Sequence, residues 1–245
     1  MVDIKEKEFQ SSLSLAFSEN GLSSLLSKER AEAFYQLTVR MLEENEKYNL
    51  TAIVDPEKII LNHYVDCAML ASRLKKDATV IDVGCGAGFP TLPLAIVRPD
   101  LNIVAMDSTE KRVNYVKESA RLLGLSGVRC VVMRAEDAGR SPEYREKFDY
   151  ATARAVAEMR VLAELCLPLV RVGGSMVAMK GKNAQFELTA ARKAISMLGG
   201  RDVSVDEITL VGDERASHPL ITVRKKEKTP DKYPRAYSQI SKKPL

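Results

Sequence analysis

The residues with the clearest chemical meaning lie in Val80 to Pro90, VIDVGCGAGFP, where an apolar β-branched run leads into Gly84, Gly86 and Gly88. Closely spaced glycines after a strand let the backbone turn sharply and let a flat or anionic ligand approach the main chain. Spacing narrows the choice of ligand. The dinucleotide fingerprint G-x-G-x-x-G requires glycine at position 89, which is Phe89, so nicotinamide and flavin are disfavoured. Asp107, 23 residues after Gly84, ends the next strand-like run. A carboxylate at that place can accept hydrogen bonds from both hydroxyls of a ribose. Ala135 and Glu136 follow a third run, where backbone amides and a carboxylate would meet the edge of an adenine. Arg154 and Lys180 follow the fourth and fifth runs, and His63 stands on a helix upstream. Each has a plainer reading: a helix cap for Asp107, a first-turn acid for Glu136, a surface ion pair for Arg154, a solvated lysine for Lys180, a packed histidine for His63.

The elements that must position these groups are readable from periodicity. Residues 1–75 read helical, with Phe34, Leu37 and Met41 at spacings of three and four, and Asp55 before Pro56 marks the start of a helix running to about Arg73. From Ala78 onward short β-branched runs, Thr79 to Val83, Asn102 to Met106, Val128 to Val132, Phe148 to Thr152 and Ser175 to Met179, alternate with amphipathic stretches. That alternation predicts an α/β fold with a parallel sheet covered by helices on both faces. Asp202 to Leu210 and Ser217 to Arg224, joined by Val211 to Ala216, predict a closing hairpin. The domain expectation is a helical extension over 1–75, a cofactor-binding domain over 76–225 and a basic tail over 226–245.

Composition fits a globular chain: 245 residues, 45% hydrophobic and 29% charged. The longest apolar runs are far short of the roughly 20 residues that a spanning helix needs, and the N-terminus lacks a secretory apolar core, so a cytoplasmic protein without a membrane partner is expected. Cys67, Cys85, Cys130 and Cys166 are scattered, with only His63 and His218 as imidazole partners, which argues against a metal site or a disulfide framework. The net charge of +4 is unevenly placed. Eight basic side chains against two acidic ones fall between Arg224 and Leu245, leaving the rest near −2. Such a tail suits an extended arm along a polyanion, or a frayed solubilising end. Residues 1–60, with 7 basic and 11 acidic side chains, make a poor RNA surface. No heptad or long apolar stripe appears, and a monomer is expected.

The arrangement D-x-G-x-G-x-G, here Asp82 with Gly84, Gly86 and Gly88, resembles the first motif of class I methyltransferases, and a parallel sheet ending in an antiparallel hairpin resembles their seven-stranded, Rossmann-like sheet. Further motifs occur in order: NLTAI (Asn49 to Ile53), H-x-x-D (His63, Asp66), DSTEKR (Asp107 to Arg112), RAE (Arg134 to Glu136), ARA (Ala153 to Ala155), KG (Lys180, Gly181) and KYPR (Lys232 to Arg235). Together they resemble the bacterial small-subunit ribosomal RNA guanine-N7 methyltransferases, the glucose-inhibited-division B family. The resemblance implies S-adenosylmethionine (SAM) as cofactor and 16S rRNA or the small ribosomal subunit as partner, with methylation at N7 of a guanine, guanine 527 of the 530 loop in that family. It implies cofactor contacts by Asp82, Gly84, Gly86, Gly88, Phe89, Asp107, Ser108, Thr109, Ala135, Glu136 and Arg154. Cys85, Thr91 and Cys67 depart from the family pattern of threonine or serine, glycine and serine at those places.

The chemistry of that acceptor asks little of the protein. Guanine N7 has an in-plane lone pair that is unprotonated at neutral pH, so in-line attack on a sulfonium methyl needs alignment rather than a general base. The chain accordingly lacks the N/D-P-P-Y element that holds an exocyclic amine and the Pro-Cys nucleophile used at pyrimidine carbons. Arg154, Lys180 and His63 are the candidates for positioning the acceptor. The alternatives are a methyltransferase with a protein or small-molecule acceptor, and a non-catalytic RNA-binding or ribosome-assembly module.

Overall fold

The computed structural model describes residues 4–213 and 217–245. Seven strands form one sheet: β1 Thr79–Val83, β2 Asn102–Asp107, β3 Val128–Val132, β4 Phe148–Arg154, β5 Val170–Met179, β6 Gly200–Asp206 and β7 Leu220–Lys225. Their order is β3-β2-β1-β4-β5-β7-β6. The first five run parallel, and β7 lies antiparallel between β5 and β6. Connections leave β1 and β4 in opposite directions across the sheet, so a crevice opens above their carboxyl ends.

The central strands are apolar on both faces because both faces are covered. One face carries α1 (Glu6–Glu19), α2 (Lys28–Tyr48), α5 (Thr91–Val97) and α6 (Glu110–Leu122); the other carries α8 (Met159–Cys166), α9 (Ala184–Met197) and α10 (Tyr237–Lys242). Phe17, Phe34, Leu37 and Met41 of the first two helices share one buried cluster with Val80 and Leu92. The residues read as an extension therefore complete a face of the core that the sheet alone would leave wet. Asp55 caps α3 (Pro56–Ile59), accepting from Lys58 N at 3.0 Å, as the sequence suggests. The helix then widens into a π-helical turn, Ile60–Val65, before α4 (Asp66–Ala68).

Three expectations change. β5 begins at Val170 rather than Ser175, because Gly174 lets the strand lie against the Asp149 carbonyl where a side chain would not fit. The closing pair is antiparallel as expected, but its ladder stops at Asp206 opposite Leu220. Pro219 has no N–H to extend β7 backwards. Of the expected connection Val211 to Ala216, residues 214–216 lie outside the described residues.

The third change concerns the basic tail, which is neither extended nor frayed. Thr229, Tyr233 and Ile240 are buried, and Arg145 donates to the Thr229 and Tyr233 carbonyls at 2.7 Å each. Lys225, fully buried, donates to Leu167 O and Thr229 Oγ1 at 2.6 and 2.7 Å beside Glu146. Burial pulls its pKa down to about 8. Arg235 grips the fully buried Glu164 through Nε, Nη2 and its own backbone N–H. Removing one partner of such a pair strands a charge without compensation. Arg235→Ala should therefore lower stability by about 3 kcal/mol, read as a reduced urea midpoint at unchanged slope; a midpoint equal to that of the native chain would show that the tail is not held by this pair.

Candidate cofactor and acceptor clefts

The crevice holds two adjoining clefts. The first, ≈ 350 Å³, is lined by Gly84 after β1, Asp107, Ser108 and Thr109 after β2, and Ala135 and Glu136 at the start of α7 (Ala135–Ala138). Six sequence-predicted positions thus meet in one place. Gly84 has φ +73°, and a Cβ there would come within 2.7 Å of Val156, the residue that overhangs the cleft. Gly88, φ +87°, lets the loop settle on Leu92 of α5, 2.6 Å from where a Cβ would stand.

Asp107 joins the two walls. Its Oδ2 accepts Gly86 N–H at 3.1 Å, its Oδ1 accepts Thr109 N–H at 2.8 Å, and Arg112 lies 3.8 Å away. The helix cap proper is Thr109. A carboxylate has about four lone-pair positions, so acceptor capacity remains towards the cleft after both bonds are made. Glu136 is 6% exposed, and its carboxylate has no hydrogen-bond or ion-pair partner among the described residues. Its oxygens open onto the cleft rather than into sealed protein, so they are free to accept from a bound donor. An amino group such as that of adenine fits this place.

Other predicted contacts stand elsewhere. Asp82 is 1% exposed beneath the loop, accepting Thr91 Oγ1 at 2.6 Å and Thr152 Oγ1 at 3.2 Å. It ties the loop helix to β4 and does not line the cleft, and Thr91, a departure from the family pattern, is one of its partners. Gly86 and Gly88 shape the loop from behind. Phe89 stacks on His63 with ring centroids 4.3 Å apart. Tyr237 of α10, which no local pattern marks as a site residue, lines the cofactor cleft from the tail.

The second cleft, ≈ 390 Å³, holds Asp66, Arg154, Lys180, Lys182, Glu187 and His218. Ala155, in the left-handed region at φ +55°, lines both clefts and marks where they join. Arg154 makes four polar contacts: Nε lies 3.3 Å from Asp66, Nη1 donates to Cys67 Sγ at 3.6 Å, Nη2 donates to Asn62 O at 2.6 Å, and Nη2 also meets His63 Nδ1 at 3.2 Å. The π-helical turn supplies Asn62 and His63, a common setting for such insertions. Burial and the Arg154 charge hold the His63 pKa down to about 4, so the ring is neutral at pH 7. With its proton on Nε2 it donates to Thr51 Oγ1, 3.1 Å away, and accepts from Arg154.

His218, which the sequence reading left without a role, lies 3.2 Å from Asp66 on the side away from Arg154 and 3.4 Å from Asp213. The Asp66 hydrogen bond pushes its pKa up. Lys180 does not reach freely into the cleft: Nζ donates to Ala157 O at 2.9 Å and pairs with Glu187 at 2.6 Å.

No helix among the described residues is long and apolar enough to cross a membrane, and none of them forms a His, Cys, Asp and Glu group suited to a metal ion. A mostly parallel seven-stranded sheet with a glycine loop after β1 and an acid after β2 defines a class I SAM-dependent methyltransferase. Solved structures agree on the fold: an O-methyltransferase from Bacillus cereus in complex with SAH matches with TM-score 0.54 at 16% identity, covering 78% of this chain and 91% of that one. A SAM-dependent methyltransferase from Aquifex aeolicus matches with TM-score 0.53 at 18% identity, covering 74% and 97%. A family model described as rRNA small subunit methyltransferase G matches residues 28–216, and the chain belongs to that family. Ribosomal RNA small subunit methyltransferase G of Clostridium perfringens is 46% identical over 83% of this chain and 85% of its own length; that of Leuconostoc mesenteroides is 48% identical over 87% and 89%.

The buried acid beneath the loop has a measurable consequence. Burial raises the Asp82 pKa to about 6, so folding favours the neutral form. Its stabilising contribution is complete below the ordinary aspartate value and is lost as pH rises through about 6. Asp82→Asn removes that dependence. Relative to the native chain, the variant should gain about 2 kcal/mol between pH 4 and pH 7, measured by urea unfolding at each pH; a difference independent of pH would show that Asp82 is ionised throughout.

Proposed function

We propose that this chain transfers the methyl group of SAM to N7 of a guanine in 16S rRNA. The observation that carries the reading is the junction at Ala155, where a cleft with a free carboxylate meets a cleft with a fixed guanidinium. When bound, the cofactor supplies a sulfonium methyl group. Asp107 would accept from its ribose hydroxyls, Glu136 from the adenine amino group, and the Gly84 turn would give the methionine end access to the backbone.

On the acceptor side, Arg154 and the Lys180 ammonium are placed to donate to guanine O6 or to an RNA phosphate. The cleft suits an acceptor that needs no deprotonation: neutral His63 has both ring nitrogens engaged, and His218 is turned towards Asp66 and Asp213. Four polar contacts fix the Arg154 guanidinium before substrate arrives, so little reorganisation is left for the transfer step.

The deciding experiment adds labelled SAM to 30S-derived 16S rRNA from cells lacking the gene. The expected product is 7-methylguanosine at one position in a nuclease digest; label in protein or small-molecule fractions, or none in rRNA, would reject the reading. Two variants separate the clefts. Asp107→Asn leaves one of two backbone donors without an acceptor and should weaken SAM binding about tenfold or more. Arg154→Lys keeps the charge but loses the planar fork; its turnover on rRNA should drop at least about tenfold while calorimetry gives SAM affinity within about twofold of the native value. Equal losses of SAM affinity in both variants would merge the two roles into one.

A further inference from the structure

Phe186 is 79% exposed, more than any other large apolar side chain among the described residues. It occupies the first turn of α9, three residues after Asn183 and one before Glu187, both of which line the acceptor cleft. The ring makes no aromatic contact, and folding gains nothing from a benzyl group left in water. Its surroundings are cationic. Lys193, seven residues on, falls on its side by helical spacing, and Lys182, in the turn before the helix, lines the cleft; both are exposed and without an ion-pair partner among the described residues.

A single exposed apolar residue is ordinary on a protein surface, and its setting is what separates this one. A protein partner would want a continuous apolar patch, but the next positions along this face are Thr189 and Ala190. An aromatic ring between lysines at the mouth of a nucleotide cleft has the chemistry of single-strand recognition, where a base stacks on the ring and the cations follow its backbone.

We propose that Phe186 is a stacking platform for an unpaired base of the RNA next to the nucleotide held in the acceptor cleft. The inference rests on rRNA being the acceptor, and it adds a contact outside both clefts. An extruded guanine leaves its neighbours without their own stacking partners, and a ring fixed at the cleft mouth replaces one of them. This sets the register of the strand as well as its affinity.

The chain contains no tryptophan, so Phe186→Trp creates a single fluorescent reporter at the site. Its emission should be quenched by 16S rRNA from cells lacking the gene. Phe186→Ala should raise KM for that RNA about tenfold, with kcat and SAM affinity within about twofold, and Phe186→Trp should restore KM. Wild-type protein that methylates the RNA alongside a Phe186→Ala variant of equal KM would overturn the platform and leave the proposed function standing. Emission that responds to ribosomal proteins freed of RNA, and not to RNA, would overturn it in favour of a protein contact. Failure of the wild-type protein to methylate the RNA would take both readings down.

Discussion

The Asp107 carboxylate accepts Gly86 N–H through one oxygen and Thr109 N–H through the other, so one side chain sets the separation of the loop after β1 from the turn after β2. The bonds also orient the carboxylate, leaving its remaining lone pairs towards the cleft. One level down, Asp82 does a related job with different chemistry, linking α5 to β4 through two hydroxyls. Its burial favours the neutral acid, whereas Asp107 keeps a cation within reach at Arg112. Two acids at the ends of neighbouring strands thus divide into a buried brace beneath the loop and a carboxylate that lines the cleft.

The acceptor side depends on a different device. Arg154 leaves β4 at the sheet edge, and a lone arginine there would sample many rotamers. The N-terminal helices remove that freedom by presenting Asn62 O, His63 and Asp66 from one short stretch of helix. Their docking is itself driven by Phe17, Phe34 and Met41 against the sheet face. Apolar burial by these acidic helices is therefore what orders the Arg154 cation, and the segment is a wall of the second cleft.

Much of this was legible in the sequence where the signal is local. Strand positions follow from β-branched runs, the glycine loop from three residues within five, and the acid after β2 from its distance along the chain. The same signals failed where long-range contacts decide. Asp82 belongs to the glycine motif, yet its partners include Thr152, 70 residues away, and they hold it beneath the loop, off the lining of the cleft. Tyr237 reaches the cofactor cleft only because Arg235 is tied to Glu164, 71 residues earlier. Lys180 reads as a free strand-end cation until Glu187 is folded beside it. The widened turn at Ile60–Val65 has no marker in a helical periodicity of three and four.

The tail shows how charge counting misleads for the same reason. Its excess of basic residues suggested a free polycation, but Lys225 and Arg235 are consumed by buried partners, and only the remainder faces water. Lys242 is carried by the same short helix that places Tyr237 on the cleft. The tail's exposed positive charge and the closure of the cofactor cleft are therefore mechanically joined, since the segment that carries the charge also supplies a wall. Deleting it would unseat Glu164 and open the cleft along with removing charge, so the loss could not be assigned to electrostatics. Only neutralising the exposed lysines, with Arg235 left in place, separates attraction from architecture, through the salt dependence of RNA binding.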